Sequence, residues 1–509
     1  MSSAGDGSNR GGNGEGGSSS RRRRRGGESG VWPEPFLEAL ASQMAVDAYR
    51  SIGRLATAQA LSNLFQRTVE THTYSDASKT KSKDLLEKVA TSNSLKGVPS
   101  IVQEVQTKKS APPPHSWLVD FVGSSTANIG VCSTWRAVSR SDLLWQNLTR
   151  QIWNRRHLLR QTWHDEYIYW HRTSNNFRQH RYIYNTLHFV PPNNNDNNNN
   201  NNNGLFCRHL ALSDHHLAAG FSDGSVQLFH LPTRVHLSTF HPQQRDRLGR
   251  YSRAVSGIIL SDENLVFASL DGDIHVVVIG GAAAAPGRAH VGDVVNDGAL
   301  VDFTGCDRWW VGLYAGVPGR AFHIWNSERE ELIFVDGDLT DPEAVTGWHC
   351  LTELTGLLGR VRVTTRDTAV ACTGQRLIVI DLQNQGLILR ERSFQQRLIV
   401  GSFDSRSESL VAVDGRGVAT VRRVEGLEEA CRFNVRGASQ RGVVGCMNNS
   451  GYVIMCVGGV IRVWDVENGV HLYSLREIIG DVNAIHADER HIVACSSDGT
   501  IHLWDFGAQ

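Results

Sequence analysis

None of the nine cysteines stands in a C-x-x-C pair. That argues against a paired-thiolate zinc site and against a disulfide framework, and it suits a reducing compartment. Neither sign of charge is in excess, since 52 Lys and Arg face 52 Asp and Glu. A global basic field of the kind that draws nucleic acid is therefore missing. No apolar run is long enough to cross a membrane, and no apolar leader opens the chain, so no membrane partner is expected. There is no P-loop and no H-E-x-x-H motif. His215 and His216 are adjacent, and neighbours on a strand point to opposite faces, so they make a poor metal pair. The expectation is a chain with no catalytic residues, no metal and no cofactor, whose function is to bind partners.

What the chain does have is one phrase said twice. Val460-Ile461-Arg462-Val463-Trp464-Asp465 returns as Thr500-Ile501-His502-Leu503-Trp504-Asp505, with Gly459 and Gly499 just ahead of the strands and the two Trp 40 residues apart. That is the period and the closing dipeptide of a WD-repeat β-propeller blade. Five weaker units lie upstream, each an apolar strand, a Gly turn and an alternating strand. Their positions equivalent to Trp464 are Phe229, Val277, Trp325, Ile380 and Arg422. The seven positions are separated by 48, 48, 55, 42, 42 and 40 residues. Asp223-Gly224, Asp271-Gly272 and Asp414-Gly415 fall where hairpin turns belong, Asp forming the turn and Gly tolerating positive φ. Kelch-type blades would need Gly pairs recurring with the unit, and Gly280-Gly281 and Gly458-Gly459 do not recur. Residues 205–509 are thus expected to form a propeller of seven blades. Little chain follows Trp504, so the last blade is expected to borrow its outer strand from the aromatic run at 182–190, which would seal two exposed edges.

The front of the chain reads differently. Residues 1–30 are of low complexity and include Arg21–Arg25, a nuclear import signal or a solvated basic tail. Residues 191–204 are an Asn-rich linker, and 149–181 an aromatic, basic helical connector. Between 31 and 148 lie Trp32-Pro33-Glu34-Pro35-Phe36-Leu37, then Val131-Cys132-Ser133-Thr134-Trp135, then Asp142-Leu143-Leu144-Trp145-Gln146-Asn147-Leu148. In that order, ahead of a propeller, these segments resemble an F-box, with Trp32 standing where Leu is usual. The resemblance implies a small all-α domain that binds a Skp-type adaptor, and through it a cullin, using Pro33, Phe36, Leu37, Val131, Trp135, Trp145 and Leu148. A Ser-, Lys- and Thr-rich insertion at 67–130 interrupts it, either as a long loop or as a stretch absent from the working protein.

Further segments, among them Ala137-Val138-Ser139-Arg140, Asn296-Asp297-Gly298-Ala299 and Trp309-Trp310-Val311-Gly312-Leu313, look like those of the STERILE APETALA proteins of plants. That resemblance implies a nuclear regulator of flower and organ growth, acting as substrate receptor of a Skp–cullin–F-box ubiquitin ligase, with PEAPOD-type repressor complexes as targets. The protein substrate is expected on loops of the propeller. Arg245, Arg247, Arg250, Tyr251 and Arg253 crowd the connection after the first blade, and Trp348 and His349 lie in the longest gap; Arg and Trp often anchor interfaces. The bland alternative is that these Arg only solvate a loop and Trp348 packs beneath it. Two rival functions stay open: a transcription regulator binding nucleic acid directly through Arg21–Arg25 and 150–181, and a propeller scaffold without ligase coupling.

Overall fold

The computed structural model describes residues 140–188, 205–242, 248–281, 286–337, 347–354, 357–364, 367–406, 408–435 and 443–508. The chain divides into two compact units. Pro33, Phe36, Leu37, Val131, Trp135 and the insertion at 67–130 lie outside the described residues. The second unit, from Trp145 onward, holds the propeller and its connector.

Seven sheets of four strands make up the propeller. Blades 1 to 6 span 207–240, 255–290, 299–336, 359–393, 404–434 and 443–478, and blade 7 combines 482–505 with Ile183–Leu187. All seven positions read as blade markers in the sequence, from Phe229 to Trp504, fall on the third strand of a blade. The first strands of neighbouring blades pack side by side around the whole ring, blade 7 against blade 1 included. They form its inner wall, while fourth strands such as Leu387–Ser393 are largely exposed.

The core is divided into wedges. Seven apolar clusters each join two consecutive blades. Strand alternation accounts for this, because successive side chains leave a strand on opposite faces. In His216–Phe221, Leu217, Ala219 and Phe221 enter the wedge with blade 7, whereas Ala218 enters the wedge with blade 2. Both faces of such a strand are buried, so it reads as a continuous apolar run rather than as an alternating one.

Ile183–Leu187 is the outermost strand of blade 7 and runs antiparallel to Ile501–Asp505, with Tyr184 opposite Trp504 and Leu187 opposite Ile501. Tyr184 Oη lies 2.7 Å from His502 Nδ1, and Leu187 is buried in the wedge between blades 7 and 1. The Asp residues before Gly are turn formers. Asp223 Oδ1 accepts from Ser225 N at 2.8 Å and Ser225 Oγ at 2.6 Å, and Asp498 Oδ1 accepts from Thr500 N at 2.8 Å. Gly224, at φ 89°, sits where a Cβ would lie 2.5 Å from the Arg253 carbonyl, so no other residue fits that turn unstrained.

Two helices precede the closing strand, α1 (Asp142–Trp153) and α2 (Trp163–Arg178). Thr162 caps α2 by accepting from Asp165 N at 3.1 Å. The fully buried Glu166 accepts from Trp170 Nε1 at 2.7 Å, Arg160 N at 2.9 Å and Leu159 N at 3.0 Å. That carboxylate ties the preceding turn to the helix. Among the described residues no helix is long and apolar enough to cross a membrane.

Candidate functional site

Alternating strand direction sorts the loops into two sets. One face of the ring carries the turns between first and second and between third and fourth strands. The other carries the turns between second and third strands and the connections between blades.

The connector occupies the first of these faces. Arg155 pairs with Asp214 in blade 1 and with Glu489 in blade 7, the latter at 3.9 Å, and its guanidinium lies 3.8 Å from the centre of the Trp170 ring. Burial opposes the charge on Arg155, but Glu489 and Asp214 outweigh it and raise its pKa. Arg156 reaches Asp307 in blade 3 at 3.3 Å. At the far end of α2, Phe177 packs against Phe506 at 4.4 Å and Tyr452 at 4.8 Å between ring centres, and its carbonyl accepts from Tyr473 Oη at 2.6 Å. The connector is thus locked onto blades 1, 3, 6 and 7 by residues far away in sequence.

Trp145 and Leu148, named above as adaptor contacts, are buried at 2% and 0% exposure. Trp145 packs on His164 at 4.8 Å and Tyr167 at 4.9 Å. Trp145 thus packs α1 on α2, and neither side chain is exposed in this structure.

The opposite face carries the candidate recognition loops. Arg245 and Arg247 lie outside the described residues, as does the side chain of Trp348. The rest come together from two connections that are distant in sequence. Tyr251 N donates to the Leu351 carbonyl at 3.0 Å, joining the connection after blade 1 to the short helix Gly347–Thr352 after blade 3. Leu248, Tyr251 and Leu354 pack around Ala254, Leu270, Val294 and Leu351. Gly249 permits the approach, because a Cβ there would lie 2.3 Å from the Leu351 carbonyl oxygen. On this platform Arg250 is exposed with its guanidinium 5.2 Å from the Tyr251 ring centre, Arg253 is half-buried, and the His349 side chain is 57% exposed, 3.7 Å from Glu353.

A second polar system was not read from the sequence. On the inner strands, Arg208 Nε donates to the Val255 carbonyl at 2.9 Å, and Ser256 Oγ to the Leu300 carbonyl at 2.5 Å. Asp302 accepts from Val361 N at 2.7 Å and from Arg362 Nη1 at 2.9 Å. Arg362 Nε continues to Asp404 at 2.9 Å, and Asp404 accepts from Met447 N at 2.8 Å. Each contact crosses from one blade to the next, so the series is a belt clasping blades 1 to 6. Burial pushes the Asp302 carboxyl up, against the pull of Arg362 and Arg360. Burial also acts to raise Asp404, but Arg406 and Arg362 prevail and hold it below the usual carboxylate range. Arg208 is lowered to about 10 by burial. The available signal was two Arg at alternate positions of an otherwise apolar strand, Gly359-Arg360-Val361-Arg362-Val363.

His215 and His216 need a correction. They do not point apart: His215 Nδ1 lies 2.8 Å from one Asp262 oxygen and His216 Nδ1 3.6 Å from the other. The strand begins only at His216, so the alternation rule does not reach His215. Among the described residues no group of three or more His, Cys, Asp or Glu is placed to hold a metal ion.

A seven-bladed ring with a docked helical connector on one face and a platform of loops on the other defines a WD-repeat propeller protein. The WD domain, G-beta repeat family matches residues 472–505. The chain is 50% identical over 487 residues to the "Transcriptional regulator STERILE APETALA" of Arabidopsis thaliana, covering 95% of this chain and 93% of that protein. It belongs to the STERILE APETALA family. Among solved structures it is similar to the computationally designed Ika8 protein, at 16% identity and TM-score 0.41, covering 59% of this chain and 96% of that one. It is also similar to the WD40 β-propeller domain of Doa1, at 12% identity and TM-score 0.44, covering 59% and 93%.

Proposed function

We propose that this protein is a nuclear regulator of transcription that works as the substrate-receptor subunit of a Skp–cullin–F-box ubiquitin ligase. The F-box-like front binds the Skp-type adaptor. The ring presents target proteins, PEAPOD-type repressor complexes in the reading that the family resemblance suggests, on the platform around Arg250, Tyr251 and His349. The chain does no chemistry of its own. It holds a target lysine near a charged partner enzyme, and effective concentration does the rest. One observation carries the reading: the helices after the F-box-like segment are fixed to one face of the ring while the loop platform stands on the other. A connector docked on the ring leaves the loop platform of the opposite face open for a target. The same contacts withdraw Arg155 and Arg156 from any nucleic-acid surface on residues 150–181, because they already pair with Asp214, Glu489 and Asp307.

Co-purification of the full chain with adaptor and cullin from plant cells tests the assignment. Adaptor and cullin should be recovered with the parent and lost when residues 31–148 are deleted. Recovery that survives the deletion would remove the F-box reading. A gel-shift series at rising salt, expected to show no specific complex, tests the nucleic-acid alternative.

A further inference from the structure

An open groove of about 850 Å³ runs between the C-terminal half of α2 and the outer strands of blades 6 and 7. Three arginines line it, Arg172 on α2, Arg181 just after α2 and Arg476 on the fourth strand of blade 6. All three are exposed. None is paired with a carboxylate among the described residues. The one acid in the lining, Glu477, is already engaged: it accepts from Tyr182 Oη at 3.0 Å and from Trp504 Nε1 at 2.8 Å. Those donors are neutral and leave its charge in place, so three guanidinium groups face one carboxylate, a local excess of positive charge in a protein with none overall.

The aromatic residues of the groove discriminate between anionic partners. A nucleic-acid strand would need free ring faces on which bases stack. Tyr182 is instead packed against His180 at 5.1 Å and Phe506 at 5.6 Å, and Tyr184 is stacked on His502 at 6.0 Å. What the groove offers is guanidinium forks, which match carboxylates. It also offers the strand Ile183–Leu187, outermost in its sheet and paired on one side only among the described strands. An extended peptide can lie along such an edge.

We infer that this groove binds an acidic segment of a partner protein, its carboxylates held by Arg172, Arg181 and Arg476. The site lies at the rim of the ring, separate from the loop platform, and does not depend on coupling to a ligase.

Fluorescence anisotropy of the full chain with a fluorescein-labelled peptide of alternating Glu and Ser is the test. Saturable binding that weakens as salt rises is expected. The combined substitution Arg172→Glu, Arg181→Glu and Arg476→Glu should weaken it about tenfold or more, whereas Arg329→Glu, an exposed residue of blade 3, should leave it unchanged. The single Arg→Gln variants should each weaken binding partially, which guards against a folding defect in the triple variant. The inference is overturned if the parent shows no saturable binding, if the triple variant binds as tightly as the parent, or if a Gln-and-Ser peptide binds equally well. It is also overturned if a single-stranded oligonucleotide displaces the peptide at lower concentration than unlabelled peptide does.

Discussion

Replacing Arg362 with Met should destabilise the ring, and more so at pH 8 than at pH 5. Arg362 bridges Asp302 and Asp404 with two bonds of 2.9 Å and is 20% exposed, while Asp302 is fully buried. Removing one partner of a buried pair costs about 3–5 kcal/mol because the other charge is left without compensation. A cap follows from titration. Asp302 can escape by taking up a proton, which at pH 7 costs about 4 kcal/mol relative to an unfolded carboxyl near pKa 3.9, and at pH 5 only about 1.5 kcal/mol. The sign is that of an acid whose folded pKa is raised. The variant is penalised least below the unfolded pKa and increasingly as pH rises toward the folded one. Urea unfolding followed by Trp fluorescence, for parent and variant at pH 5 and pH 8, measures both penalties. The double substitution Asp302→Asn with Arg362→Met should recover part of the loss at pH 8, since no buried charge is then stranded there. Equal penalties at the two pH values, or a loss under about 1 kcal/mol at pH 8, would refute the belt as an ion-paired clasp.

Leu187→Ala in the closing strand should cost about 3 kcal/mol, the usual range for emptying a buried Leu site, read as a lower urea midpoint; no change would mean that the strand contributes little to closure. Gly249→Ala places a Cβ against the Leu351 carbonyl, so target binding by the platform should fall while the thermal midpoint of the blades shifts little. Intact binding would show that the two connections need not meet. Burial, with Arg320 and His290 adding, lowers His323 to about 3, and burial with Arg406 does the same to His486. The unfolded chain protonates these histidines near pH 6.5 and the folded one does not until about pH 3, so stability should fall as pH drops through that window. The loss is on the order of 2 kcal/mol at pH 5 for a fully buried His. His323→Phe should flatten the pH dependence of the urea midpoint, and an unchanged slope would remove His323 as a contributor.

The ring was legible because each blade repeats a chemical phrase. An apolar or aromatic residue such as Trp325, Trp464 or Trp504 recurs on the third strand in every blade but the fifth, where Arg422 stands, and that strand feeds two wedges at once. Details of the turns were less legible. Asp414-Gly415 was read as the turn of blade 5, but the positive φ belongs to Gly417, and Asp414 accepts from both Arg416 N at 2.9 Å and Val418 N at 3.0 Å. The belt was illegible for a different reason. An Arg on a strand ordinarily signals a solvated face, and only the closed ring puts Arg362 between two carboxylates from neighbouring blades. The partners of Arg155 and Arg156 were hidden in the same way, since Asp214, Glu489 and Asp307 become neighbours only when the ring closes beneath the connector.

The pairing of Ile183–Leu187 with Ile501–Asp505 has a consequence for biosynthesis. One partner leaves the ribosome about 320 residues ahead of the other. At about 5–20 residues per second, the first strand waits roughly 15–60 s for its mate. Throughout that delay Leu187, Leu210 and Leu217, which the finished wedge buries, face the cytosol on a nascent chain. The yield of this protein should therefore be set by translation speed and by holding chaperones during that interval.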